Sequence, residues 1–492
     1  MLMTVLAIAS SYMVVDIDLF HEMALFRQYL TDGRMPMADD FAYTPTLEKV
    51  VHHEWGTGAI LYGVSVGSGW GAGGIVALKH LLCFGICVGC YVLARRNGVS
   101  QSIIVALGFV ALNLGGWMAF TNIRAQLFTL AFLVALFFLI NLDRRGKQWW
   151  IWVWVAMVIA WGNMHAGVVS GIGILAVYGI SRWVDVWVAT RSFRQSVVEV
   201  KHLLLAGLLT AVAININPYG LDYVPYLIRA IRMERPLILE WSPIWKVASF
   251  SSQILFLFSI VVAGWGMYRA KTWPTFEAFV LLLTAYLAMK HLRHGSLYAV
   301  TWICLVPPMI ERSELGAAIR ELWQRQGKRI AVASLASGLV AIGCAMQTRF
   351  WELRVPSEIS AETKGIPIFP VGAVKFLRER EFRGNLFVPF QTGAFVSWNL
   401  YPQVKVSLDS RYEVAYPDGA VEENWKFYRA DEGWRATLAK YDTHAVLVPR
   451  HEPVFDAITR TIESEADFGW KQIYDDGNCA VFERQEVVVA AR

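Results

Sequence analysis

The chain has 492 residues, of which 55% are hydrophobic and only 17% charged, and its mean hydropathy is +0.40. That balance excludes an ordinary soluble protein of this length and points to a polytopic membrane protein. The formal net charge of +5 is modest and scattered, with no basic tract, so nucleic acid is not an expected partner and the cations are left to orient loops.

Residues 1 to 15 are apolar and run straight into acid, so they read as a span or a shortened one. Further apolar segments recur at roughly 72 to 94, 102 to 120, 126 to 142, 149 to 165, 167 to 184, 203 to 216, 251 to 268, 275 to 290, 296 to 310 and 330 to 347, about eleven spans in all. Gly56 to Ser68 reads as a re-entrant or interfacial helix. The 21 Trp and 27 Phe suit membrane interfaces and lipid-facing helices. Cys83, Cys87 and Cys90 share one apolar span as small soft hydrophobes, and no second ligand cluster of CxxC type accompanies them to suggest a metal.

Lys and Arg collect in alternate short loops, at Arg95 and Arg96, Arg144 and Arg145, Arg191 and Arg194, Arg269, and Arg320 to Arg329, which makes that side cytoplasmic. Residues 16 to 71, 121 to 125, the NMHAG turn, 217 to 250, 291 to 295 and everything after about 348 then fall on the exoplasmic side. From residue 349 the runs NLFVPF, VKVSLDS, HAVLVPR, KQIYD and CAVFER alternate with the helix-like VGAVKFLRERE and EPVFDAITRTIESE. The expected architecture is an all-α polytopic membrane bundle over residues 1 to 348, with an exoplasmic loop at 16 to 71, followed by a soluble exoplasmic α/β domain over 349 to 492.

This topology gathers unusual polar residues on one face. Asp16, Asp18, His21, His52, His53, Glu54, Arg124, Gln126, Asn163, His165, Glu240, Arg293 and His294 lie in exoplasmic loops or at span ends. Ionisable groups near hydrocarbon are costly, so their convergence favours a site. Asp16 and Asp18, two apart in an extended segment, send both carboxylates to one side as a base and a ligand. They also read as caps of the helix FHEMALFRQYL, and both roles fit together with Asp18 capping and Asp16 reacting. HHEW is not a zinc-protease motif, because position 57 is Thr. His52, His53 and Glu54 instead return the first loop to the acid pair, to bond a sugar or, with Asp16, Asp18 and His53, to hold a divalent cation.

Arg124 with Gln126, and Arg293 with His294, are natural partners of a lipid phosphate, with interfacial snorkelling as the structural alternative. Asn163 and His165 line the same cavity or are satisfied in the core. NPYG is turn chemistry, and Arg229, Arg232 and Arg235 at helical spacing mark an interfacial helix whose rim Glu240 and Trp241 close.

The set DIDLFHEMALFRQYLTDGRMPMADDFAYT, HHEW, RAQLFTL, NMHAG, NPYG, EWSP and RHGSLYA resembles a bacterial branch of the GT-C-fold glycosyltransferases, over most of the membrane region. These are polyprenyl-phosphate-sugar-dependent enzymes, and their first-loop acid corresponds here to Asp16 or Asp18. The resemblance implies an inner-membrane, multi-pass protein with a periplasmic active face. It also implies an inverting transfer of sugar from the lipid carrier to an envelope acceptor, whether glycan, lipid or protein. The phosphate roles of Arg124, Arg293 and His294 rest on the physical argument alone. A lipid-linked-sugar transporter or flippase, which needs polar groups at the bilayer midplane, and a non-catalytic envelope assembly subunit are the competing expectations.

Overall fold

The computed structural model describes residues 2–11, 13–116, 119–235, 238–270, 273–359 and 368–485. The chain divides into two compact units, Met1–Met13 with Val64–Leu353, and Val14–Gly63 with Arg354–Arg492.

The first unit is helical. Among the described residues, six helices are long and apolar enough to cross a bilayer: Ala72–Arg96, Gln126–Arg144, Val168–Thr190, Phe193–Ala213, Phe250–Tyr268 and Glu314–Gln347. Gln101–Gly116 and Trp150–Met164 are apolar but shorter. Leu2–Ser11, Thr275–Lys290 and Gly295–Glu311 have 10, 16 and 17 residues. Length and composition therefore support six crossings, fewer than the eleven or so read from hydropathy. The helix surfaces suit lipid: Leu81, Trp152, Leu208, Val261 and Val332 are 65 to 70% exposed. In water such exposure forfeits about 25 cal/mol per Å², a loss that hydrocarbon does not impose.

Tryptophan serves two purposes here. Trp152 faces outward, whereas Trp150, Trp154, Trp161 and Trp302 are fully buried. Burial obliges each indole N–H to find an acceptor. Trp150 donates to Asp143 Oδ1 (2.9 Å), Trp154 to Thr210 (2.7 Å), Trp161 to Thr129 (2.9 Å) and Trp302 to the Ser259 carbonyl (2.9 Å). Asp143 also accepts from Tyr178 (2.6 Å) and from His202 Nε2 (2.9 Å), so one carboxylate ties four helices.

Helix ends meet in two groups. The Ser100 N–H donates to Glu311 at 2.7 Å, Arg145 to the Arg96 carbonyl at 2.9 Å, and Arg144 pairs with Glu277 at 2.7 Å. In a separate group, the Leu292 N–H donates to the Ser242 carbonyl at 3.0 Å and Arg124 pairs with Glu240.

The second unit has a conventional core. Among the described residues it carries a five-stranded sheet, with β1 Gly384–Phe387, β2 Val404–Val406, β3 Ala445–Pro449, β4 Trp470–Asp475 and β5 Cys479–Arg484 in the order β2-β1-β3-β5-β4. β2, β1 and β3 are parallel and are connected through helices, as parallel pairing demands; β3, β5 and β4 are antiparallel. The strands fall on the five β-rich runs read from the sequence, because each alternates or concentrates Val, Phe and Tyr between turn residues. Phe387, Phe427, Val446, Val448, Ile458 and Phe482 form its core.

The segment Val14–Gly63 belongs to this unit. Its backbone completes the sheet edge. The Val406 N–H donates to the Phe41 carbonyl (2.9 Å) and the Tyr43 N–H to the Val406 carbonyl (3.0 Å), which pairs an edge left open at β2. Tyr43 packs against the core and its hydroxyl meets Thr443 at 2.8 Å. The interfacial helix expected near Gly56 is Trp55–Tyr62, continued by a π turn at Gly63–Gly67.

Candidate functional site

The helix Ile17–Asp32 begins at Asp16, whose backbone is extended (φ −78°, ψ 146°) and whose carboxylate accepts the Asp18 N–H at 3.1 Å. An N-cap must be the extended residue just before the first helical one, so the cap is Asp16 and not Asp18. This reverses the assignment made from sequence. Asp16 is 4% exposed, whereas Asp18 stands half-buried in the first turn, where the helix dipole favours a carboxylate. The two acids are not the paired rungs of an extended strand. Helical spacing places Asp18, His21 and Glu22 on one face instead.

A second helix delivers Glu54 to that face. A Cβ at Gly58 would stand 2.2 Å from the Glu22 carbonyl oxygen, so the glycine lets Trp55–Tyr62 touch Ile17–Asp32 there. The Gly58 N–H donates to the Glu54 carbonyl at 3.0 Å, which sets Glu54 one turn before the contact. As a result an imidazole nitrogen of His21 and carboxylate oxygens of Glu22 and Glu54 lie within 4.8 Å of one another. His53 Nε2 is 3.3 Å from Glu54 Oε1, and His21 Nδ1 is 3.2 Å from the Ser410 hydroxyl.

Burial and crowding decide the charges. Burial, followed by the carboxylates of Glu54, Asp18 and Asp16, pushes the Glu22 carboxyl well above the usual carboxylate range, and it hydrogen-bonds to Glu54. Burial lowers His21 to about 4, against the pull of Asp409. His52, 4% exposed, is lowered well below 6.5 by burial and by Arg411. At neutral pH the cluster therefore holds neutral imidazoles around an acid that shares a proton with its neighbour.

The sequence reading did not anticipate the clamp beneath this cluster. Arg411 forks onto Asp409 through Nε (2.9 Å) and Nη2 (2.7 Å) and bonds Asp39 through Nη1. The side chains of Arg411, Asp39 and Asp409 are 2%, 0% and 1% exposed. Burial raises the Asp409 carboxyl, but Arg411 outweighs it and holds Asp409 below the usual carboxylate range. The stretch SLDSRYE is thus a buried tie between the first loop and the sheet region.

The remaining predicted residues lie in the first unit. Arg124 Nη1 lies 3.1 and 3.3 Å from the two Glu240 oxygens, and Arg293 Nη1 is 3.9 Å from Glu240 Oε1. Burial raises Glu240, but Arg124 and Arg293 together hold it below its usual range. Gln126 donates to Ser296 (2.8 Å) and to the Arg293 carbonyl (3.2 Å), which fixes that turn. Arg293 and Arg235 lie 4.6 and 4.1 Å from the centre of the Trp241 ring. Arg235 follows the helix Tyr223–Arg232 and is 5% exposed, so it does not continue the amphipathic row of Arg229 and Arg232 expected from spacing. Burial, with Arg293 adding, lowers His294 to about 4, so His294 is a neutral hydrogen-bonding group and not a second cation. Its Nδ1 and the Trp241 indole nitrogen are buried with no hydrogen-bond partner among the described residues.

Asn163 and His165 have local structural partners. The Asn163 amide donates to the carbonyls of Ile159 (2.7 Å) and Ile216 (2.8 Å). The Gly167 N–H donates to His165 Nδ1 at 3.0 Å, which makes Nδ1 an acceptor and puts the ring proton on Nε2. The Thr129 hydroxyl, 2.7 Å away, then donates to the same nitrogen while accepting from Trp161. Both residues hold the turn between two helices.

No protein-family model matches the chain, and no curated protein matches it. The site is read from its own geometry.

Proposed function

We propose that the protein is an integral membrane glycosyltransferase of GT-C-like architecture, with about eleven crossings in the bacterial inner membrane. It moves a sugar from a polyprenyl-phosphate carrier to an envelope acceptor on the periplasmic face. The observation that carries this reading is the Arg124, Arg293 and Glu240 cluster with its orphaned neighbours. Two guanidinium groups converge on one carboxylate, and the Trp241 N–H and His294 Nδ1 beside them are buried without partners among the described residues. A buried polar atom costs about 1 to 3 kcal/mol when unsatisfied, which a phosphate oxygen relieves. Glu240 occupies the place of that anion.

A lipid carrier needs room for its chain as well as its phosphate. An apolar crevice runs between helices of the first unit, lined by Cys87, Tyr91, Gly108, Gly116, Phe120 and Ala299, and it reaches Ser296, the partner of Gln126. The lining is rich in small residues, which leaves a slot that an isoprenoid chain fills by dispersion contact. In the reaction a carboxylate, for which the resemblance names Asp16 or Asp18, takes the proton of the acceptor hydroxyl or amine, whose lone pair displaces the lipid phosphate at the anomeric carbon. The bond to the phosphate oxygen breaks with inversion, and Arg124 and Arg293 hold the departing anion. Asp16 starts the helix that presents Asp18.

The test is mass spectrometry of envelope glycans and lipid-linked sugars in a deletion strain complemented with wild type, Asp16→Asn or Asp18→Asn. Asp18→Asn should lose the glycan and accumulate the lipid-linked donor, with Asp16→Asn intermediate. Unchanged profiles in Asp18→Asn would favour a non-catalytic subunit. Movement of lipid-linked sugar in vesicles lacking acceptor would favour a transporter.

A further inference from the structure

We propose that His21, Glu22 and Glu54 form a divalent-cation site. The inference stands on the second unit alone and does not rest on the sugar-transfer reading. One imidazole nitrogen and two carboxylate oxygens from two helices lie within 4.8 Å of one another. Ligands held about 2.1 Å from a transition metal stand roughly 3.4 Å apart, so the set closes by at most about 1.4 Å around an ion. The side chains that move are the accessible ones. His21 and Glu54 are half-buried, while Glu22, 3% exposed, forms the fixed floor.

The independent sign of a ligand is Glu22 itself. Its Oε2 is buried with no hydrogen-bond partner among the described residues, and the Gly58 contact fixes the Glu22 backbone from which that carboxyl extends. A carboxyl oxygen withdrawn from water and left unbonded is costly, and a cation that displaces the shared proton satisfies it. The surroundings supply what metal ligands need. Ser410 lies beside His21 Nδ1, His53 lies beside Glu54, and the charges of Asp16 and Asp18 act on the same carboxyl. One imidazole with two carboxylates suits Mn²⁺ or Zn²⁺ better than the all-oxygen preference of Ca²⁺ or Mg²⁺. A cation at this position would lower the pKa of a bound hydroxyl or water one helical turn from Asp18.

The experiment uses the full-length protein, purified in detergent, stripped with EDTA and desalted. Mn²⁺ binding is followed by loss of the free-ion paramagnetic resonance signal. Zn²⁺ binding is followed by elemental analysis after gel filtration. Wild type should retain close to one equivalent of at least one of the two ions. Glu22→Gln, which keeps the hydrogen bond to Glu54, should bind at least tenfold more weakly with an unchanged unfolding temperature. With bound Mn²⁺, nitrogen modulation of the spin echo should report the imidazole and vanish in His21→Asn. Absence of stoichiometric binding of both ions by wild type, or wild-type affinity in Glu22→Gln, would overturn the proposal.

Discussion

Arg411 is the residue whose loss the second unit should tolerate least. Replacing it with Met fills much of the volume but removes the one cation between two carboxylates that are 0% and 1% exposed. Breaking a buried pair by deleting one partner costs about 3 to 5 kcal/mol, chiefly because the other charges stay buried and uncompensated. The guanidinium also lies 5.1 Å from the Phe41 ring and 5.9 Å from Tyr416, contacts that Met keeps only as dispersion. For a unit of roughly 190 residues, 1 kcal/mol shifts the unfolding midpoint by about 2 to 4 °C, so Arg411→Met should lower it by about 6 to 20 °C. Tryptophan fluorescence of the full chain in detergent, recorded on heating, reads this directly. The control neutralises the acids: in an Asp39→Asn, Asp409→Asn background the same Arg411→Met change should cost less than half as much, because no stranded charge remains. A fall of under about 3 °C, or equal falls in both backgrounds, would refute the clamp as the tie between the first loop and the sheet.

Gly58→Ala should destabilise the same unit by about 1 to 3 kcal/mol, since its Cβ meets the Glu22 carbonyl oxygen at 2.2 Å and backbone must move; wild-type stability would show that the helices do not meet there. Lowered pKa values make His21 and His294 stabilising as neutral rings. That contribution is complete above about 6.5 and is lost as pH falls through about 4, so the unfolding temperature should drop across that window and less so in His21→Gln. Glu22 has the opposite sign: its raised pKa favours folding at low pH, and the benefit is lost as pH rises above the carboxylate range, a dependence that Glu22→Gln should remove. Asp16→Ala should cost about 1 kcal/mol through the lost cap, whereas Asp18→Asn should leave stability within about 0.5 kcal/mol; equal losses would return the cap to Asp18.

Much of the fold was legible because its signals are local. Apolar runs marked the long helices, and short runs rich in β-branched, aliphatic and aromatic residues between turn residues marked all five strands. Helix count was less legible, since short apolar helices such as Thr275–Lys290 read as spans by hydropathy but fall below a full crossing by length. The partnership of the first loop with the sheet was hidden for another reason. It depends on backbone pairing between Phe41–Tyr43 and Val406, and on Arg411 reaching Asp39, contacts more than 360 residues apart in the chain. No periodicity encodes such pairs. The same limit explains the site. Sequence grouped the acids, imidazoles and arginines by side, but the roles of Asp16 and Asp18 turned on which residue is extended, and Glu22 entered only once Gly58 brought Glu54 against it. Arg235 looked like a helix residue by spacing until the helix ended at Arg232.

The most direct test of the whole account is turnover by the protein reconstituted in lipid, with donor extracted from the deletion strain and product followed by mass spectrometry. Wild type should transfer sugar and release polyprenyl phosphate. Asp18→Asn and Arg124→Gln should each lower that rate by about a hundredfold or more, with binding of the phosphate lipid weakened only in Arg124→Gln. Undiminished turnover in Asp18→Asn, or binding of polyprenyl phosphate unaffected by Arg124→Gln, would contradict it.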